Sequence, residues 1–253
     1  MNGSGAAILS VITRFVMPTT TPPPPKRLAL TSEHLAGAGF VHGFTTRHGT
    51  LEDLGLEPAQ VFTVSQVHGS NVITATGSPD ALRTERADAL VLTCGRAGAM
   101  RVADCVPVLV GDAATGRAAA IHAGWRGVVS GVVPAALATM RGRPQRFVAA
   151  IGPCIESMCF EVGEDVADTI ADAVPVSGVV VRREGGKAWV DLVAAVRAQL
   201  EACGVPAASI ERVGGCTKCD ASRFHSYRRD GASSGRLLGV IVARDTAQGD
   251  VPR

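Results

Sequence analysis

Apolar residues in this chain come mostly in short runs. QVFTVSQV (60–67), NVITAT (71–76), DALVLTC (88–94), VPVLVG (106–111), RAAAIHA (117–123), RFVAAIG (146–152), GVVVRR (178–183) and LLGVIVA (237–243) are each bounded by turn residues. They read as strands. Helical periodicity runs from Trp125 to about Met140, over 162–174 and over 191–204. In the last segment Leu192, Val193, Val196 and Leu200 share one face, with Asp191 placed to cap the start and Gly204 the end. Several strands follow one another without a helix between them. That disfavours a purely parallel doubly wound sheet and favours an α/β arrangement of layered mixed sheets covered by helices.

The segment PTTTPPPPK (18–26) can be neither helix nor central strand, because proline fixes φ and removes a donor. Residues 1–26 therefore read as a disordered or extended leader and 27–253 as one domain, since no repeat or composition break follows. The apolar stretch 6–17 is interrupted by Arg14 and lacks both a basic start and a cleavage pattern, so it does not read as a secretory signal. Met17 is an alternative start of translation.

The 253 residues carry a formal net charge of +2, with Lys and Arg scattered along the chain. This gives no electrostatic case for nucleic acid or an anionic membrane surface, and no apolar run approaches the ~20 residues of a membrane span. A small-molecule substrate and a monomer or homodimer are the expectation. Seven irregularly placed cysteines fit reduced thiols in the cytoplasm better than a disulfide framework.

Three of these apolar runs end on or beside a soft or borderline metal ligand: His68 in SQVHGSNV, Cys105 in VADCVPVL and His122 in AAIHAGWRG. One thiolate and two imidazoles make a three-ligand zinc set that leaves a fourth position for water or substrate, as in an enzyme. Each residue taken alone is equally an ordinary core or turn residue. Cys216 and Cys219 form a C-x-x-C without a second such pair, which points to a structural role.

The motifs SQVHG, ADC-x-PVL, HAGWRG, IGPCI-x4-FEVG and DL-x3-V-x3-L-x3-GV stand in that order, followed by CT…FHSYRR…GR-x-x-G-VI. Together they resemble the laccase-domain (polyphenol oxidase, or peptidoglycan editing factor) family over about Gly43 to Ala243. The resemblance implies an α/β/β/α sandwich and a zinc-dependent purine nucleoside phosphorylase with an associated adenosine deaminase activity. It also makes His68, Cys105 and His122 the metal ligands, the same three residues that the chemistry selects.

A multicopper laccase needs on the order of ten histidines, and this chain has six. Copper is therefore the less favoured metal. A cytidine-deaminase site fails too, because no His is followed two residues later by Glu. Phosphorolysis asks for arginines that can grip phosphate bidentately. Arg47 in GFTTRHG and Arg228 in SYRR match arginine-bearing family motifs and are the expected phosphate or substrate contacts. Asp104 is expected to orient a ligand or carry a proton, and Cys105 joins it in the catalytic set. Trp125 and Tyr227 can stack on a purine, although packing also accounts for Trp125.

The family segment that contributes to the substrate pocket is short here, with eighteen residues between Arg47 and Gln66. Two other readings stay open. One is a cell-wall hydrolase or amidase with Cys105 as nucleophile and His122 as base. The other is a metal-stabilised regulatory protein without catalysis.

Overall fold

The computed structural model describes residues 28–174 and 176–245, with Met1. The expected leader and the alternative start at Met17 lie outside the described residues. Two sheets pack face to face. The six-stranded sheet has the spatial order Ile210–Arg212, Phe147–Ile151, Val106–Asp112, Ala118–Ala123, Ala89–Leu92, Val72–Thr74. It is antiparallel in its centre and parallel at both edge pairs. The five-stranded sheet runs Ala29–Leu30, His42–Thr45, Leu237–Val242, Ala97–Val102, Val61–Phe62, with only the last pair parallel. A small antiparallel sheet of Glu161–Gly163, Lys187–Val190 and Val180–Glu184 flanks them.

The central strands Val106–Asp112 and Ala118–Ala123 are buried along their whole length. Both faces are covered, so their sequences run apolar without alternation. On one face Leu90, Leu92, Leu109, Ala120 and Ala150 share a core with Phe44, Met100, Leu237 and Ile241 of the facing sheet. Small residues let the sheets approach: a Cβ on Gly152 would lie 2.3 Å from the Phe44 ring. On the other face Val91, Val108, Val110, Ala119 and Ile121 share a core with Val133, Leu137 and Met140 of helix Val132–Met140, and with Val196 and Leu200 of helix Leu192–Ala202.

The outer layer over the five-stranded sheet is thin. Leu51, Leu54 and Leu56, around a 3₁₀ turn at Glu52–Leu54, pack on Val61, Ala97, Ala99 and Val240. The short helix Pro79–Leu82 sits beside Val61–Phe62. This layer is built from the segment after Arg47 and from Pro79–Leu82, so the four-layer order is present with one layer slight.

Each run read as a strand contains one, but 60–67 pairs as a strand only at Val61–Phe62. The helix expected from Trp125 to Met140 is two helices, Trp125–Val129 and Val132–Met140. Gly131 separates them at φ 78°, a left-handed conformation that glycine reaches without strain. The helix expected over 162–174 begins at Glu164, because residues 161–163 join the small sheet. Helix Leu192–Ala202 has the expected ends: the Asp191 carboxylate accepts from the Ala194 N–H at 2.8 Å, and Gly204 takes φ 92°. No described helix is long and apolar enough to cross a membrane.

Candidate metal centre

Strand register brings the three predicted ligands together. Ala89 pairs with Ile121, and Val106 with Ala123. Asp88, His122 and Cys105 thus sit at one end of three adjacent strands, and the chain around His68 closes over that end. The ligand atoms of His68, Cys105 and His122 all lie within 4.8 Å of one another. The two imidazole rings meet edge to face, with centroids 4.8 Å apart.

Asp88 organises this geometry, and its carboxylate is fully buried. It accepts backbone N–H groups from Val67 at 3.3 Å, His68 at 2.9 Å and Gly69 at 2.7 Å. Three donors converging on one carboxylate bend the loop tightly, and His68 is held at φ 60°, an uncommon value for a non-glycine residue. The same carboxylate lies 2.8 Å from His122 Nδ1. That contact fixes the tautomer and leaves Nε2 as the ligand atom, the usual support for a metal-bound histidine. Gly124 completes the fit, because a Cβ there would stand 2.9 Å from Cys105 Sγ and 3.3 Å from the His68 ring.

The electrostatics suit a thiolate. Burial alone would raise the Cys105 thiol, but hydrogen bonds and charge from His122 and His68 bring it down to about 6. Burial opposes protonation of His122, yet Asp88 and Cys105 lift it to about 9. Without metal, Cys105 and His122 therefore form a thiolate–imidazolium pair between about pH 6 and about 9. In chelator-stripped protein, alkylation of Cys105 by iodoacetamide is expected to be half-maximal near pH 6. Asp88→Asn should move that midpoint upward, because a less basic His122 stabilises the thiolate less. A wild-type midpoint at the ordinary thiol value of about 8.5 would contradict this electrostatic picture.

A family model described as "Multi-copper polyphenol oxidoreductase laccase" matches residues 42–244. The chain belongs to this family. Among its relatives, a purine nucleoside phosphorylase of Streptomyces coelicolor is 40% identical over 199 residues, covering 77% of this chain and 80% of the relative. An adenosine deaminase from an unknown prokaryotic organism is 42% identical over 166 residues, covering 63% of each chain. The crystal structure of YlmD from Geobacillus stearothermophilus superposes with a TM-score of 0.75 at 28% identity, covering 85% of this chain and 94% of that one.

For this member of the laccase family, the family's description names a copper chemistry that the local donors do not supply in number. Of the six histidines, only His68 and His122 converge on a shared cluster among the described residues. His42 is a core residue, bonded to Phe40 O and the Ser32 N–H. The convergent donors, one thiolate and two imidazoles, fit a single borderline divalent cation.

The three ligands line a cleft of about 620 Å³. Arg228 and Asp104 also line it, as do Trp125 and Tyr227. Arg101, Arg126 and Arg236, which the sequence did not single out, add three further guanidinium-bearing side chains, and Phe160 adds an aromatic face. Asp104, at φ 87°, has both oxygens engaged: Thr217 Oγ1 donates at 2.6 Å and the Arg228 N–H at 2.6 Å. The Arg228 side chain reaches the carbonyls of Glu161 at 2.9 Å and Cys159 at 3.4 Å. Arg47 is not among the residues lining this cleft; its guanidinium donates to Ala221 O and its N–H to Arg223 O. The segment after Arg47 also lies away from it, where Gly55–Glu57 border a separate hollow of about 560 Å³.

Proposed function

We propose that this chain is a zinc-dependent purine nucleoside phosphorylase acting on adenosine, inosine or methylthioadenosine. The observation that carries the reading is the convergence of an open three-ligand set and four arginines in one cleft. The phosphorylase and deaminase names of its relatives support it.

His68, Cys105 and His122 would hold the zinc, whose contribution when bound is Lewis acidity beside the substrate. The remaining work falls to the chain. In phosphorolysis the bond from C1′ to the purine nitrogen breaks, a bond from C1′ to a phosphate oxygen forms, and the base leaves protonated at nitrogen. Arg228, Arg101, Arg126 and Arg236 supply the positive field that a phosphate dianion needs. Trp125, Phe160 and Tyr227 offer apolar faces for a purine. Asp104, with both oxygens already accepting bonds, acts as a positioning residue that fixes the turn carrying Arg228.

Incubation with each nucleoside and phosphate tests the reading through its products. Free adenine from adenosine supports phosphorylase chemistry, and inosine from adenosine marks deamination. Arg228→Ala is expected to raise the KM for phosphate about 10-fold or more, in line with loss of a charge-assisted contact. Zinc content should be unchanged, and Arg228→Lys should restore only part of the loss, because a point charge lacks the planar fork. An unaltered phosphate KM in Arg228→Ala would remove that residue from the site.

A second reading has one specific observation in its favour. Cys105 Sγ lies within 4.8 Å of His122, whose Nδ1 is 2.8 Å from Asp88, an order that suits a thiol hydrolase with His122 as base and Asp88 as its orienting group. Zinc content separates the two, since a coordinated thiolate is not free to attack.

A further inference from the structure

Beyond the cleft, the fold gathers three more thiols. The sulfur atoms of Cys159, Cys216 and Cys219 all lie within 4.8 Å of one another, with Cys159 and Cys219 at 3.2 Å. They come from two separate segments. Cys216 is tied to Cys154 by an isolated parallel bridge, and the turn from Cys216 to Cys219 closes with Asp220 N–H on Cys216 O at 3.2 Å. Cys159 sits in the turn before Glu161–Gly163, its N–H on Glu156 O at 2.8 Å. Cys216 is buried, Cys159 half-buried and Cys219 exposed.

We infer that Cys159, Cys216 and Cys219 form a second metal site, a three-thiolate site for a thiophilic d10 cation, with Zn²⁺ as the first choice and its fourth position toward solvent. Three features carry this. Zinc–sulfur bonds of about 2.3 Å place tetrahedral sulfurs about 3.7 Å apart, inside the range of separations found here. Cys216 and Cys219 stand at the two ends of one closed turn, with Asp220 N–H on Cys216 O, which is the C-x-x-C spacing common in zinc sites. An odd set of three thiols is also more than one disulfide can use. Cys154, fully buried and bonded by Arg212 Nη2 at 3.6 Å, is occupied elsewhere.

The site would brace the cleft wall. Thr217, between two of the ligands, donates to Asp104 and takes the Cys154 carbonyl through its own N–H at 2.9 Å. Arg228 bonds the Cys159 carbonyl. A cation here therefore ties together the two segments from which Asp104 and Arg228 take their positions.

The test uses full-length, reduced protein loaded with Co²⁺, whose sulfur-to-metal charge-transfer absorption grows with the number of thiolates, alongside zinc quantification. Cys105→Ala, which disables the first centre, should keep one equivalent of metal and a strong three-thiolate band. Cys219→Ser, at an exposed position, should lose most of that band and one equivalent of zinc while keeping the weaker one-thiolate signal of Cys105. If Cys105→Ala fails to fold, the difference between wild type and Cys219→Ser carries the same answer. An undiminished band in Cys219→Ser would overturn the inference. So would a reduced wild-type protein without a multi-thiolate signal, or a Cys159–Cys219 disulfide in protein that takes no metal there after reduction. Because Cys105→Ala removes the first centre, failure of the proposed phosphorylase reading leaves this outcome untouched.

Discussion

Asp88→Ala is expected to damage the protein more broadly than any ligand substitution. The carboxylate accepts three consecutive backbone N–H groups and faces His122 Nδ1 at 2.8 Å. Its removal leaves buried His122 Nδ1 and three part-buried amides without their acceptor, at a cost of about 3–5 kcal/mol by comparison with other broken buried pairs. The loop carrying His68 loses its anchor at the same time, so metal affinity should fall by at least the roughly 10–100-fold typical of a lost supporting carboxylate. Asp88→Asn keeps an acceptor oxygen and should cost less stability. The folded protein holds Asp88 below the ordinary carboxylate range: burial opposes this, and the bonds from His122 and the loop amides outweigh it. Its stabilising share is thus full at neutral pH and lost as acid takes the group through its depressed pKa. Denaturant midpoints from acid to neutral pH, with chelator competition, measure both effects. A variant with wild-type midpoint and affinity would show that Asp88 organises nothing.

Cys105→Ala separates function from fold. Cys105 is the only anionic donor of the triad and lies just outside strand Val106–Asp112, at the rim of the core. The substitution should cut metal bound at this centre to a small fraction and bring nucleoside turnover to background. The unfolding midpoint in apo form should stay near that of apo wild type, because the two large cores need no metal to close. Comparing apo forms matters, since bound metal itself stabilises the folded state. Full turnover in Cys105→Ala would displace the centre from the chemistry altogether.

The triad was legible because soft ligands at the ends of apolar runs are chemically conspicuous. Asp88 was not. DALVLTC reads simply as a strand, and only the register of Ala89 on Ile121 shows that its first residue faces His122. A usable signal existed, since the acid directly precedes four fully buried residues. The arginines illustrate the same limit. Arg101, Arg126 and Arg236 belong to three segments far apart in sequence and meet only in the fold. Arg47, chosen through a motif, does not line the cleft, whereas Arg228 does. Long buried strands declared themselves, whereas His42–Thr45, Glu161–Gly163, Lys187–Val190 and Ile210–Arg212 are too short for a period to show. Ala97–Val102 escaped for a different reason. Gly98 stands where a Cβ would meet Leu92 at 2.8 Å, so packing demanded a residue that strand propensity disfavours.

The proposed activity turns most directly on the fate of the ribose. Zinc-loaded protein given adenosine or inosine should release free base and ribose 1-phosphate in equal amounts, at a rate that rises with phosphate and vanishes without it. Equal rates with and without phosphate, yielding free ribose, would make the chain a hydrolase and contradict the phosphorylase reading.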